Sequence, residues 1–147
     1  MVNASATCVF CDLIASGAGH WVAQEANAVA FLPLPEGALA PGHTLVVPRG
    51  HCVGVLDAIP EALSATMGLV QRVSVAMTEA LGATGVVLLN ASGPFSGQSV
   101  GHLHFHVVPR WPGDEATLWP SDRSSHAPIP DAGELLAAAL GSTVGAT

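Results

Sequence analysis

The longest stretch of helical periodicity in this chain runs from Pro60 to Leu81, where Leu63, Met67, Val70, Met77 and Leu81 recur on one face. Asp57 and Pro60 are start signals for that helix, and Gly82 fits its end. Most other apolar positions fall in short runs punctuated by glycine, proline and small polar residues, the pattern of strands. Trp21–Gln24 and Ala28–Leu32 flank the turn-like Glu25-Ala26-Asn27 and read as a hairpin. Thr44–Pro48 reads as a short strand after a loop marked by Pro33, Pro35, Gly37 and Pro41. Val86–Asn90 is a continuous apolar run and reads as a buried strand. Near the start, Cys8-Val9-Phe10-Cys11 is a tight turn leading into an apolar segment of one or two helical turns, broken by Gly17-Ala18-Gly19. Met1–Ala6 reads as a loose tail. Trp111–Pro130, rich in Pro, Ser and Asp, reads as irregular, and Glu134–Leu140 suits a short helix.

One run combines strand alternation with chemistry. In Gly101-His102-Leu103-His104-Phe105-His106-Val107-Val108-Pro109-Arg110 every second side chain faces the same way if the backbone is extended. Leu103, Phe105 and Val107 would anchor such a strand in a core, while His102, His104 and His106 line an open face. Imidazole titrates near neutrality, so the row can serve as nucleophile, base or metal ligand. A histidine tag would lack the core-forming residues between the histidines, and a barrel-type metal enzyme could also use a His-x-His pair.

Composition narrows the partners. The chain has 147 residues, half of them apolar, which suits one domain with a sizeable core. Four arginines stand against eleven carboxylates, with no lysine and a formal charge of −7. That balance argues against long nucleic acid and anionic membrane surfaces, but not against a single nucleotide held by backbone N–H groups. No apolar run reaches membrane-spanning length, and the first residues lack the basic and apolar regions of a secretory signal, so a cytoplasmic location is expected.

Other residues along the chain carry candidate chemistry as well. Ser96-Gly97-Gln98-Ser99, just before the triad, offers hydroxyls, an amide and approachable backbone N–H groups, enough for an anion-holding concavity or simply a hairpin loop. Cys8 and Cys11 have the spacing of a zinc half-site, with His51 and His102 as candidates for the remaining ligands; such pairs also serve redox chemistry. Cys52 reads as a small buried hydrophobe rather than a ligand. His43 and His51 stand at either end of the Thr44–Pro48 strand. Asn90 could orient a ribose or phosphate group, or close a turn.

Taken together, these residues resemble the histidine-triad (HIT) family of nucleotide hydrolases and transferases. Four blocks carry the resemblance, in order between Cys8 and Arg110: Cys8-Val9-Phe10-Cys11; Gly42-His43-Thr44-Leu45-Val46-Val47-Pro48-Arg49 with His51; Asn90 with its loop; and Gly97-Gln98-Ser99-Val100-Gly101 leading into the histidine run. The resemblance implies an α+β, HIT-like fold spanning residues 1–147, with a core of about 8–110 and a loop-rich tail of 111–147. An antiparallel sheet of about five strands would carry one long and one or two short helices, and two chains would form a homodimer. It implies that His104 attacks the α-phosphorus of a mononucleotide-type substrate, that His106 with Gly97, Gln98 and Ser99 holds the phosphoryl oxygens, and that His43 and Asn90 are accessory binding residues. In the zinc-bearing, Hint-like branch, which includes galactose-phosphate uridylyltransferase, Cys8, Cys11, His51 and His102 would bind a structural zinc. One departure concerns substrate choice. Nucleoside-binding relatives place a ribose-gripping aspartate after the second strand, where this chain reads Phe31-Leu32-Pro33-Leu34-Pro35-Glu36-Gly37, leaving Glu36 as a substitute.

The leading expectation is therefore a phosphoramidase or hydrolase that cleaves a nucleoside monophosphate from its leaving group through a nucleotidyl-histidine intermediate. A nucleotidyltransferase or phosphorylase would use the same intermediate. A zinc-stabilised nucleotide-binding or interaction protein is the non-enzymatic alternative, and trapping a nucleotide on His104 separates it from the other two.

Overall fold

The computed structural model describes residues 8–144. Those up to Ala116 form one compact unit and those from Thr117 a second. The first unit contains α1 (Val9–Ser16), β1 (Trp21–Gln24), β2 (Ala28–Phe31), β3 (Thr44–Pro48), α2 (Pro60–Leu81), β4 (Gly85–Leu89) and β5 (Phe105–Arg110). The second contains α3 (Ala132–Val144), longer than the Glu134–Leu140 helix expected, after a segment without regular elements. The architecture is α+β: one five-stranded antiparallel sheet in the order β1-β2-β3-β5-β4.

Strand alternation sorts this sheet into two chemically different faces. Ala28, Ala30, Val46 and Val107 point to one side and pack with Leu69, Val70, Val73 and Met77 of α2. Val29, Phe31, Leu45 and Val47 point to the other and pack with Cys8, Phe10 and Cys11 at the start of α1. Leu45 is paired with His106 across β3 and β5, so His106 shares the α1 side. Leu69 and Val107 are both completely or almost completely buried, and each such side chain contributes roughly 1.5–3 kcal/mol by leaving water.

The long helix has the expected bounds, but a different face is buried. Thr66, Leu69, Val70, Val73 and Met77 form its core stripe, with the Thr66 hydroxyl donating to the Ala62 carbonyl at 2.7 Å. Met67 and Leu81, expected to be inward, are 43% and 47% exposed. Gly82 ends the helix in the left-handed region at φ 68°, donating to the Met77 carbonyl. Asp57 does not cap this helix. Its carboxylate accepts from the Val53 and Gly54 N–H groups at 3.0 and 2.8 Å, while Pro60 alone marks the first turn after Ile59.

Two strand expectations are corrected. β4 is an edge strand of intermediate burial, with Leu88 44% exposed, because it lies at the end of the sheet beyond β5. β5 begins at Phe105, so His102 and His104 precede the ladder and only His106 lies within it. The Leu103 N–H donates to the Cys52 carbonyl at 2.8 Å instead of to a neighbouring strand. No described helix is long and apolar enough to cross a membrane.

Candidate functional site: a histidine row joined to a cysteine–histidine cluster

The histidines do not line an open face. His102 and His104 are buried and His106 is half-buried, because the segment before β5 dives beneath α1. Phe10, on the first turn of α1, fixes this arrangement. Its ring stands edge-on to His104 at 5.3 Å, to His102 at 6.0 Å and to Phe31 at 5.2 Å between centroids. Nothing in the histidine pattern itself marks Phe10; its signal is its position between the two cysteines.

Backbone carbonyls set the ring orientations. His104 donates its Nδ1–H to the His102 carbonyl at 2.8 Å, which leaves Nε2 of the neutral ring with its lone pair free. The rings of His104 and His106 lie 5.0 Å apart. The Leu39 N–H donates to Nδ1 of His43 at 3.0 Å, so the His43 proton sits on Nε2 and is donated to Nδ1 of His106 at 2.9 Å. His106 must then carry its own proton on Nε2, as a neutral donor. Burial pushes His43 below the usual imidazole range, and burial reinforced by His104 and His43 lowers His106 to about 4.

That depression has a consequence for stability. An unfolded chain takes up a proton on His106 as pH falls below about 6.5, while the folded chain does not until about 4. The stabilisation is fully present above about 6.5 and is lost as pH falls toward about 4. Urea midpoints are expected to drop between pH 7.5 and 5, and to drop less in a His106→Gln variant; equal drops in the two chains would refute the assignment.

Asn90 and the loop after it hold the other side of the row. The Asn90 amide donates to the His104 carbonyl at 2.9 Å and accepts from the Ser92 hydroxyl at 2.8 Å. Gln98 accepts from the Gly93 N–H at 2.9 Å and donates to the Val53 and Val100 carbonyls at 2.6 and 2.9 Å. Its side chain thus fastens the loop to the Val53 turn, while Gly97, at φ 96°, and Ser99 are exposed. Among the described residues of the first unit no arginine is fastened to this row: Arg49 donates to the Glu25 carbonyl, Arg72 pairs with the Glu25 carboxylate, and Arg110 pairs with Asp114.

Cys8, Cys11, His51 and His102 converge. One ligand atom from each lies within 4.8 Å of all the others. Nδ1 of His102 lies 3.4 Å from Cys8 Sγ and 3.5 Å from Cys11 Sγ, and Nδ1 of His51 lies 3.3 Å from Cys11 Sγ. Nε2–H of His102 donates to the Pro48 carbonyl at 2.8 Å, which turns the Nδ1 lone pair toward the sulfurs. Cys8 also caps α1, its sulfur accepting the Cys11 N–H. Burial and the neighbouring Cys8 push the Cys11 thiol up to about 11, so thiolates here need a cation to neutralise them. Cys52 is half-buried and outside this group.

Comparison with known proteins finds relatives along most of the chain. Residues 19–113 match the model of the HIT domain. The chain is 37% identical over 108 residues to an uncharacterized HIT-like protein of Saccharolobus solfataricus, covering 73% of this chain and 76% of that one. It is 30% identical over 119 residues to an adenosine 5'-monophosphoramidase of Schizosaccharomyces pombe, covering 78% and 84%. The crystal structure of a Zn-bound histidine triad family protein from Mycobacterium smegmatis superimposes with a TM-score of 0.72 at 32% identity, over 97% of this chain and 99% of that one.

Proposed function

Since this chain belongs to the HIT domain family, we propose that it is a nucleotide phosphoramidase or hydrolase that works through a nucleotidyl-histidine intermediate at His104. The observation that carries the reading is the 2.8 Å bond from His104 Nδ1 to the His102 carbonyl, which fixes the tautomer with Nε2 available as the nucleophile. Nε2 attacks the α-phosphorus; the N–P bond forms as the bond from phosphorus to the leaving amine, carboxylate or phosphate breaks, a departing amine taking up a proton from solvent. Water then attacks the same phosphorus and gives up a proton to solvent, the N–P bond breaks, and the nucleoside monophosphate leaves with His104 restored. Charge spreads over the phosphoryl oxygens in both steps, and the Nε2–H of His106 with the N–H groups of Gly97 and Ser99 supplies donors for them. The Schizosaccharomyces pombe relative supports a phosphoramidate as first substrate. Intact-mass analysis of the native chain mixed with adenosine 5'-phosphoramidate tests the intermediate. An added nucleotidyl group, absent from His104→Asn, is the expected result; hydrolysis with no adduct on native chain under rapid quench would count against it.

The Cys8, Cys11, His51 and His102 cluster fits a structural zinc. Tetrahedral zinc with sulfur bonds of about 2.3 Å and nitrogen bonds of about 2.0–2.1 Å separates its ligands by roughly 3.3–3.8 Å, and the cysteine–histidine separations here are 3.3, 3.4 and 3.5 Å. Such an ion would tie α1 to the segment that carries His104. We also place the working unit as a homodimer. The exposed Met67, Val75 and Leu81 of α2 and the exposed Leu88 of the edge strand β4 are apolar surface without a covering element in the chain's first unit. Light scattering at micromolar concentration should return twice the chain mass; a monomer would remove this part of the proposal.

A further inference from the structure

A cavity of about 540 Å³ opens on the α1 side of the sheet, of a size that suits a small molecule. Phe10, Leu13, Phe31, Leu34, Leu45 and Val100 form much of its wall. Two of them join it to the histidine row, since the Phe10 ring stands 5.3 Å from that of His104 and Leu45 is the cross-strand partner of His106, while Val100 accepts from Gln98 of the neighbouring loop. Whatever organic group the phosphorus carries at His104 therefore has this cavity beside it.

Its chemistry is one-sided. Among the described residues lining it, His20 is the one polar side chain, and there is no carboxylate, amide or hydroxyl. Pro33 and Pro35, also in the lining, remove two backbone donors as well. Glu36 does not supply what is missing. It lies exposed in the short 3₁₀ turn Pro35–Gly37 and outside the lining. Sugar hydroxyls turned against these walls would give up water and find few partners, whereas an aromatic or aliphatic surface would gain by leaving water.

We infer that this cavity takes the organic group of the substrate by apolar contact and does not read a ribose diol. The substrate class is a phosphoryl compound bearing an aromatic group on a linker whose hydroxyls are dispensable. The inference rests on the phosphoryl chemistry proposed at His104, and its test is built to fail separately. For the native chain, kcat/KM for adenosine 5'-phosphoramidate and for its 2',3'-dideoxy analogue is expected to agree within about threefold; a loss of about tenfold or more on removing the hydroxyls, about 1.4 kcal/mol, overturns it. Calorimetric titration with adenosine monophosphate and its dideoxy counterpart asks the same question without turnover. Equal affinities support the inference even where no phosphoramidate is cleaved, an outcome that sinks the phosphoryl chemistry alone. A tenfold preference for the diol, or no binding of either compound at millimolar concentration, overturns it. Leu34, 72% exposed at the rim, provides a variant that leaves the core alone. Leu34→Ser should weaken both compounds alike with their ratio unchanged; unaltered binding of both would show that the cavity is not where they sit.

Discussion

Replacing His104 with asparagine is expected to lower turnover of adenosine 5'-phosphoramidate by roughly 10⁴-fold or more, while nucleotide binding survives. Asparagine keeps a polar side chain of similar reach but offers no nitrogen lone pair able to attack phosphorus. The neighbouring substitution should behave differently. His106→Asn removes an oriented donor whose tautomer is set through His43 and the Leu39 N–H, and loss of one such donor costs roughly 10²–10³-fold in kcat. Single-turnover quench with mass detection separates the two. The first variant forms no adduct, and the second forms it slowly. Near-native turnover by His104→Asn on a verified substrate would overturn the mechanism.

The second large effect is expected at the cysteine–histidine cluster. Freshly purified chain should carry about one zinc, and a Cys8→Ser, Cys11→Ser double variant should carry none. An ion present at 1,000 times its dissociation constant stabilises a fold by about 4 kcal/mol, which for a chain of this size is on the order of 10 °C in melting temperature. Metal analysis beside thermal denaturation checks both. Undiminished zinc in the double variant would place the metal elsewhere. Turnover measured below the melting range should suffer less than stability does, because the cluster reaches His104 indirectly, through His102, whose carbonyl holds Nδ1, and through the Phe10 ring between the two cysteines.

Much of this arrangement was legible in the sequence because it is written in local signals. Pro60 and Gly82 bracket α2 whatever surrounds it, and Glu25-Ala26-Asn27 has few alternatives to a hairpin turn. Cys8 and Cys11 read as a zinc half-site from their spacing, with His51 and His102 as candidate partners, and the fold brings these four together. What the sequence hid depends on tertiary partners. The alternation around His104 reads as a strand from Gly101 onward, yet His102 is bound to the Pro48 carbonyl and Leu103 to Cys52, which hold the segment off the ladder until Phe105. The buried stripe of α2 follows Thr66 and Leu69 rather than Met67 because the sheet determines which side faces inward. Asp57 reads as a helix start signal, but its nearest unsatisfied N–H groups are those of Val53 and Gly54. Likewise Gln98 reads as a phosphate ligand, and only the fold reveals the carbonyls that its amide holds together.

The placement of the arginines bears on how the reaction cycle ends. Arg49, Arg72 and Arg110, the three arginines of the first unit, are committed to Glu25 and Asp114, and the donors proposed for the phosphoryl oxygens are uncharged. Hydrolysis of a nucleoside phosphoramidate raises the charge on the nucleotide from about −1 toward −2. A cradle of cations would grip that product harder than the substrate; neutral donors gain far less from the extra charge, and a chain with a formal charge of −7 repels it at long range. Product departure, the slow step in many enzymes, is favoured by the same economy of charge that forgoes attraction on the way in.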